Sequence, residues 1–168
     1  GNTVVLKPAE TTSLTALKLA EIVQEADLPK GVVNIITGAG PTGAGIVNHS
    51  DIDKIAFTGS TGVGKIIMKA IAGSNKKSTM ELGGKAANII FEDAPLDQAV
   101  EGVINGIYFN QGHVCCAGSR LFVQESVYDV VLRKLKDRIQ SLILGNPLDK
   151  NTDIGAINSK EQLGTINK

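Results

Sequence analysis

The sequence predicts an α/β fold: a parallel, doubly wound sheet portion followed by the first part of a second α/β unit. Two observations predict it. Short apolar, partly β-branched runs alternate with stretches of helical periodicity in the order β-α-β-α-β-α-β as far as Leu82. That order favours a parallel sheet with right-handed crossovers. The glycine pair Gly83-Gly84 then interrupts the pattern, and a strand, a helix, a cysteine segment, a strand and a long helix follow.

Thr3 to Leu6 reads as a short buried strand, ended by Lys7-Pro8. Thr11 to Asp27 reads as a helix. Thr11, Thr12 or Ser13 can cap it, Leu14, Leu17, Ile22 and Val23 fall at helical spacing, and Pro29-Lys30-Gly31 breaks it. Val32 to Ile36 is a second strand, Gly38-Ala39-Gly40-Pro41 a turn, and Thr42 to Asn48 a short helix. Lys54 to Phe57 is a third strand. Thr58 to Thr61 leads from it into a helix from about Gly62 to Ala72, and Thr79 to Leu82 is a fourth strand. Beyond the glycines, Ala87 to Phe91 is a strand, Leu96 to Tyr108 a helix and Arg120 to Gln124 a strand. Ser126 to Leu142 is an amphipathic helix with Val130, Val131, Leu135 and Ile139 on one side, stopped by Gly145-Asn146-Pro147. Leu148 to Lys168 is polar and weakly patterned. The first portion resembles part of a Rossmann-like, doubly wound dinucleotide-binding domain.

Composition excludes several classes. The 17 basic and 17 acidic residues balance to zero net charge, which gives no electrostatic reason to expect nucleic acid or an anionic membrane as partner. No apolar run approaches the ~20 residues of a membrane span. No signal-peptide pattern precedes Gly1, and the chain starts without Met. The two cysteines are adjacent, which suits neither a disulfide framework nor a zinc site, so a reducing cytoplasm and no metal are expected.

Two stretches carry chemistry. Phe109-Asn110-Gln111-Gly112-His113-Val114-Cys115-Cys116-Ala117-Gly118-Ser119-Arg120 holds both thiols in a run of small residues. Gly112, Ala117 and Gly118 leave room for a ligand to approach, and an accessible thiolate is a nucleophile. Upstream, Met80-Glu81-Leu82-Gly83-Gly84-Lys85 sets a lone carboxylate at the end of an apolar run. Desolvation by Met80 and Leu82 would suit Glu81 to act as a base; a structural carboxylate in a surface pair is the alternative. Both thiols can equally be small buried hydrophobes. Gly59-Ser60-Thr61-Gly62-Val63-Gly64 follows a strand and opens a helix, a setting that suits a pyrophosphate, although Thr61 replaces the middle glycine of the usual dinucleotide pattern. Lys7 and Glu10 flank Pro8 just after a strand, where a ligand crevice or plain solvent can meet them.

These segments resemble the aldehyde dehydrogenase superfamily in four places. Phe109 to Arg120 resembles its active-site cysteine segment, and Met80 to Ala87 its active-site glutamate segment. Gly1 to Glu10 and Phe57 to Thr61 resemble its cofactor segments. The resemblance runs from Gly1 to about Pro147, through an internal portion of a longer protein. It implies that residues 1–83 are the second half of an NAD-binding domain. Residues 84–168 are then the N-terminal part of the catalytic domain.

Further roles follow from the resemblance. Cys115, five positions before Arg120, is the nucleophile, Cys116 points into packing, and Glu81 activates water. Lys7 and Glu10 bind the adenosine ribose beside Pro8. Glu10 favours NAD, since it would repel the 2′-phosphate of NADP. Gly40 and Pro41 border the adenine. Gly59 and Ser60 meet the pyrophosphate, Val63 packs against the cofactor, and Leu82 and Gly83 hold the nicotinamide over the thiol. Gly62 stands where most of the family has a glutamate. The base being Glu81, a Cys–His dyad with His113 is not expected; His49 is expected at the surface, and Asn110 to support the loop. The implied reaction oxidises a small-molecule aldehyde to a carboxylic acid through a thiohemiacetal and a thioester on Cys115. The implied assembly is a homo-oligomer. The family's oxyanion asparagine and its later ribose-binding glutamate match nothing between Gly1 and Lys168, so the chain alone is expected to be inactive. A non-catalytic nucleotide-binding or scaffold module is the alternative; a thiol redox protein lacks its Cys-x-x-Cys.

Overall fold

A computed structural model describes residues 1–168 as two compact units, Gly1–Glu81 and Leu82–Lys168. Each has its own apolar core.

In the first unit β1 (Val4–Leu6) leads through a 3-10 turn (Glu10–Thr12) into α1 (Ser13–Glu25) and then β2 (Val33–Ile35). β1 and β2 pair in parallel, with Val4 opposite Val33 and Leu6 opposite Ile35. A parallel pair needs a crossover, and α1 supplies it. α2 (Gly40–Asn48) starts inside the glycine-proline stretch expected as a turn. Pro41 sits in its first turn, where a missing N–H costs nothing. At the other end of α2, Lys76 Nζ donates to the carbonyls of Val47 at 2.8 Å and His49 at 2.5 Å. Those carbonyls lack helical partners, and a cation is favoured there by the helix dipole. β3 (Lys54–Gly59), α3 (Thr61–Ile71) and β4 (Lys77–Leu82) follow, with β3 paired to β4. Val47, Ile55, Ile67 and Ile71 form the core, and Ile52, Phe57 and Met80 pack against it.

The second unit runs β5 (Ala87–Ile90), α4 (Leu96–Tyr108), β6 (Arg120–Val123) and α5 (Tyr128–Gln140), ending in α6 (Lys160–Ile166). β5 and β6 are parallel, with Ala87 opposite Arg120 and Ile90 opposite Val123. α4 packs on α5 over Ile90, Val100, Val103, Ile104 and Val131. Two ion pairs cross this seam, Lys134–Asp97 at 2.5 Å and Arg138–Glu101 at 2.6 Å. Their exposure makes them minor contributors to stability. The hydrogen bond that Arg138 Nε donates to Glu101 Oε1 raises the pKa of the guanidinium above its ordinary value.

The α/β class and the parallel pairing are as expected, but details differ. The strands pair two by two, β1 with β2, β3 with β4 and β5 with β6, rather than in one continuous sheet. The helix expected from Ser126 starts at Tyr128, because Glu125–Val127 folds as a 3-10 turn. The weakly patterned C-terminal stretch holds α6, capped by Ser159, whose hydroxyl accepts from Gln162 N at 3.1 Å. Before it, Leu144 bridges to Ile154, and Asp153 Oδ2 accepts from Ile143 N at 2.9 Å.

Val131 is fully enclosed at 0% exposure, so Val131→Ala should destabilise the second unit. Two lost carbon groups plus a cavity cost about 2–3 kcal/mol. Both tyrosines, Tyr108 and Tyr128, lie in this unit and the chain has no Trp, so tyrosine fluorescence in a urea titration reads the second unit alone. An unchanged midpoint would contradict the packing described.

Candidate active site

The cysteine segment leaves α4 through a left-handed stretch. Asn110, Gln111 and Gly112 have φ of 50°, 55° and 77°. Such a conformation is costly for a non-glycine residue, and local hydrogen bonds offset the cost. His113 N donates to Asn110 O at 2.9 Å, and Asn110 Nδ2 donates to His113 O at 3.4 Å. Asn110 therefore supports the loop, as expected. The His113 ring sets Nδ1 at 3.2 Å from the Asn110 carbonyl oxygen rather than against a thiol.

Val114–Ala117 then forms a β-turn, closed by Ala117 N donating to Val114 O at 3.0 Å. Cys115 and Cys116 are its two central residues, and both are exposed. This corrects the expectation that Cys116 points into packing. Central residues of a turn stand at its tip, and the buried member of the segment is Ala117, at 8% exposure.

The turn is fixed from its C-terminal side. Gly118 N donates to Gly106 O at 3.0 Å, and Asn88 Nδ2 donates to Gly118 O at 2.8 Å. Arg120 N and Nε donate to the carbonyls of Ala86 at 3.2 Å and Lys85 at 2.8 Å. The sequence reading missed Asn88. Its signal was there: one amide side chain within the apolar run Ala86-Ala87-Asn88-Ile89-Ile90 must find a partner if it is covered. The same pairing brings Gly84 to the turn, where a Cβ on Gly84 would lie 3.5 Å from the Cys115 carbonyl oxygen. Leu82 is half-buried, and Gly83 is exposed.

Glu81 differs from expectation. It is exposed, while Met80 and Leu82 on either side are half-buried. Side chains alternate faces along a strand, so both apolar neighbours point away from Glu81 and cannot desolvate it.

The cofactor candidates form two groups in the first unit. Lys7 stands at the carboxyl end of β1, where its Nζ donates to Pro8 O and Gly38 O, both at 2.8 Å. One of its three N–H donors remains available. Pro8 is buried beside it, Glu10 is exposed, and Gly40 and Pro41 open α2 at the surface. The second group opens α3. Ser60 caps that helix, its Oγ accepting from Val63 N at 3.3 Å. The hydroxyl hydrogen stays free to donate outward. No acidic residue occupies the first turn of α3, so nothing there offsets the positive dipole end. Val63 is 44% exposed. A Cβ at Gly62 would meet only Ser60 Oγ, at 4.0 Å, so Gly62 is not sterically required. At Gly59 a Cβ would come within 2.5 Å of the Phe57 ring, so the strand must end in glycine for that ring to pack.

The chain is 54% identical over 168 residues to "Aldehyde dehydrogenase, cytosolic 1" of Mus musculus, covering 99% of this chain and 34% of that protein. It is 52% identical to "Retinal dehydrogenase 2" of Homo sapiens, covering 99% and 32%. The chain thus spans about a third of the length of these relatives. Betaine aldehyde dehydrogenase from Staphylococcus aureus, solved in complex with NAD+, superposes with a TM-score of 0.93 at 42% identity, covering 98% of this chain and 33% of that one. The NAD-dependent aldehyde dehydrogenase from Sinorhizobium meliloti gives the same TM-score, identity and coverage. Residues 1–168 as a whole match the aldehyde dehydrogenase family, and the chain belongs to it.

Proposed function

We propose that this chain is part of an NAD-dependent aldehyde dehydrogenase, with residues 1–83 belonging to the cofactor domain and 84–168 to the catalytic domain. The observation that carries the reading is the exposed Cys115 thiol at the tip of a turn fixed beside Gly84. In this reading the Cys115 thiolate attacks the aldehyde carbon, forming a C–S bond and a thiohemiacetal. The Cys115 backbone N–H donates to the developing oxyanion. Bound NAD would supply the hydride acceptor needed to turn the thiohemiacetal on Cys115 into a thioester. Glu81 takes a proton from the water that cleaves the resulting thioester, and the carboxylic acid leaves with the thiol restored.

The residues fit the cofactor. Lys7 has a donor to spare, Glu10 is free to accept from ribose hydroxyls, and Ser60 with the start of α3 offers donors to a pyrophosphate. Pro8 flanks the ribose side, Gly40 the adenine side, Gly59 and Val63 the pyrophosphate side, and Leu82 with Gly83 the nicotinamide side. An acidic Glu10 favours NAD over NADP. Substrates are small aldehydes. No helix is long and apolar enough to cross a membrane. With a relative named as cytosolic, a cytoplasmic homo-oligomer without nucleic-acid partners is the assembly proposed.

Three outcomes test the reading. The 168-residue chain by itself should give no aldehyde-dependent NADH, because a missing oxyanion donor alone costs about 100- to 1,000-fold in rate. Steady NADH production that saturates with aldehyde would refute this. In the longer dehydrogenase, Cys115→Ala should abolish even the first turnover. Glu81→Gln should release a burst of NADH of up to one equivalent per site and then stall as acyl-enzyme, with added hydroxylamine partly restoring turnover. A Glu81→Gln enzyme that keeps the unsubstituted steady rate removes Glu81 from the mechanism.

A further inference from the structure

We propose that Asn88 is the positioning residue of the Cys115–Cys116 turn, its side-chain amide setting where the nucleophilic thiol stands. The inference rests on the function proposed above for its importance to the reaction, and on the second unit alone for its geometry.

The Gly118 peptide is held at both ends. Its N–H donates to Gly106 O at 3.0 Å, and its carbonyl accepts from Asn88 Nδ2 at 2.8 Å. Gly106 lies in the last turn of α4, where carbonyls have no partner within the helix. One loop residue is thereby tied to a helix end and to a strand. The amide of Asn88 occupies a space that two glycines leave open. A Cβ at Gly118 would come within 2.1 Å of Asn88 Nδ2, and one at Gly106 would stand 3.7 Å from Asn88 Oδ1. A side chain at Gly118 would therefore evict the amide, whereas one at Gly106 would only touch it. Between Gly118 and the thiols lies only Ala117, itself buried and bonded to Val114 O. A shift at Gly118 therefore passes directly into the turn. An aspartate has the shape of Asn88 but no donor when ionised, so it would set a charge against the Gly118 carbonyl.

The experiment is brief iodoacetamide alkylation of the 168-residue chain at several pH values, with labelling at Cys115 and Cys116 separated by mass spectrometry. Asn88→Asp should change the ratio of Cys115 to Cys116 labelling by about tenfold, the scale set by one lost hydrogen bond and an unsatisfied carbonyl. Tyrosine fluorescence confirms that the second unit is still folded. Gly118→Ala, which displaces the same amide without altering β5, should change the ratio in the same direction, and it replaces Asn88→Asp if that variant melts. Adding Gly118→Ala to Asn88→Ala should change the ratio no further. A ratio unmoved at every pH in folded Asn88→Asp and Gly118→Ala overturns the proposal, because a purely structural bond would alter the melting point and not the choice of sulfur. Faster labelling of Cys116 in the unsubstituted chain would instead move the nucleophile to Cys116. The Asn88 test survives that result, since it reads a change of ratio.

Discussion

The candidate site depends on the parallel pairing of β5 with β6. Parallel strands start at the same end, so whatever precedes each strand is brought together there. The register sets Ala87 opposite Arg120. The residues before β5, Gly83 to Ala86, therefore meet the residues before β6, Cys115 to Ser119. The bonds from Arg120 to Lys85 and Ala86, and the approach of Gly84 to the Cys115 carbonyl, are consequences of that register. An antiparallel pair would have sent the two segments to opposite ends. The intervening α4 is then an obligatory crossover, and its last turn ends close enough to offer Gly106 O to Gly118. The left-handed stretch Asn110–Gly112 brings the chain from that helix end into the turn, which accounts for the unfavourable backbone there.

The two units use their strand ends differently. In the first, Lys7 and Ser60 follow β1 and β3 at their carboxyl ends, where helix starts offer N–H groups to a ligand. In the second, the thiols precede β6 and lie at its amino end. The candidate cofactor residues and the candidate nucleophile thus stand at opposite kinds of strand end, and the change falls between the two units. Gly83-Gly84 follows the first unit at that point of the sequence.

Much of this was legible in the sequence, for identifiable reasons. α4 lies where it was expected, from about Leu96 to Tyr108, because Leu96, Val100, Val103 and Ile104 repeat at helical spacing and nothing competes with them. The exposed thiol at Cys115 followed from the small residues around it. α6 was missed because Leu163 and Ile166 are its only large apolar residues, although Ser159 and Gln162 form the start of a capping pattern. α2 began earlier than expected because a glycine-proline pair suits a helix's first turn as well as a loop. Asn88 was passed over because the apolar run around it identifies a strand. Only the fold shows that a loop carbonyl thirty residues away needs its amide.

Glu81 shows where periodicity should have corrected the reading of local composition. Its flanking residues Met80 and Leu82 suggested a desolvated carboxylate, but a strand puts neighbours on opposite faces. Met80 turns into the core with Ile55 and Ile67, and Glu81 must then turn out. A carboxylate in that position is kept available by the same alternation that anchors its strand. Any desolvation suited to a general base has to come from chain that covers the outer face of β4, not from β4 itself. Glu81 is thus held by the first unit but conditioned by whatever faces it. Cys115 differs, because the second unit supplies both the turn that exposes the thiol and the hydrogen bonds that fix the turn.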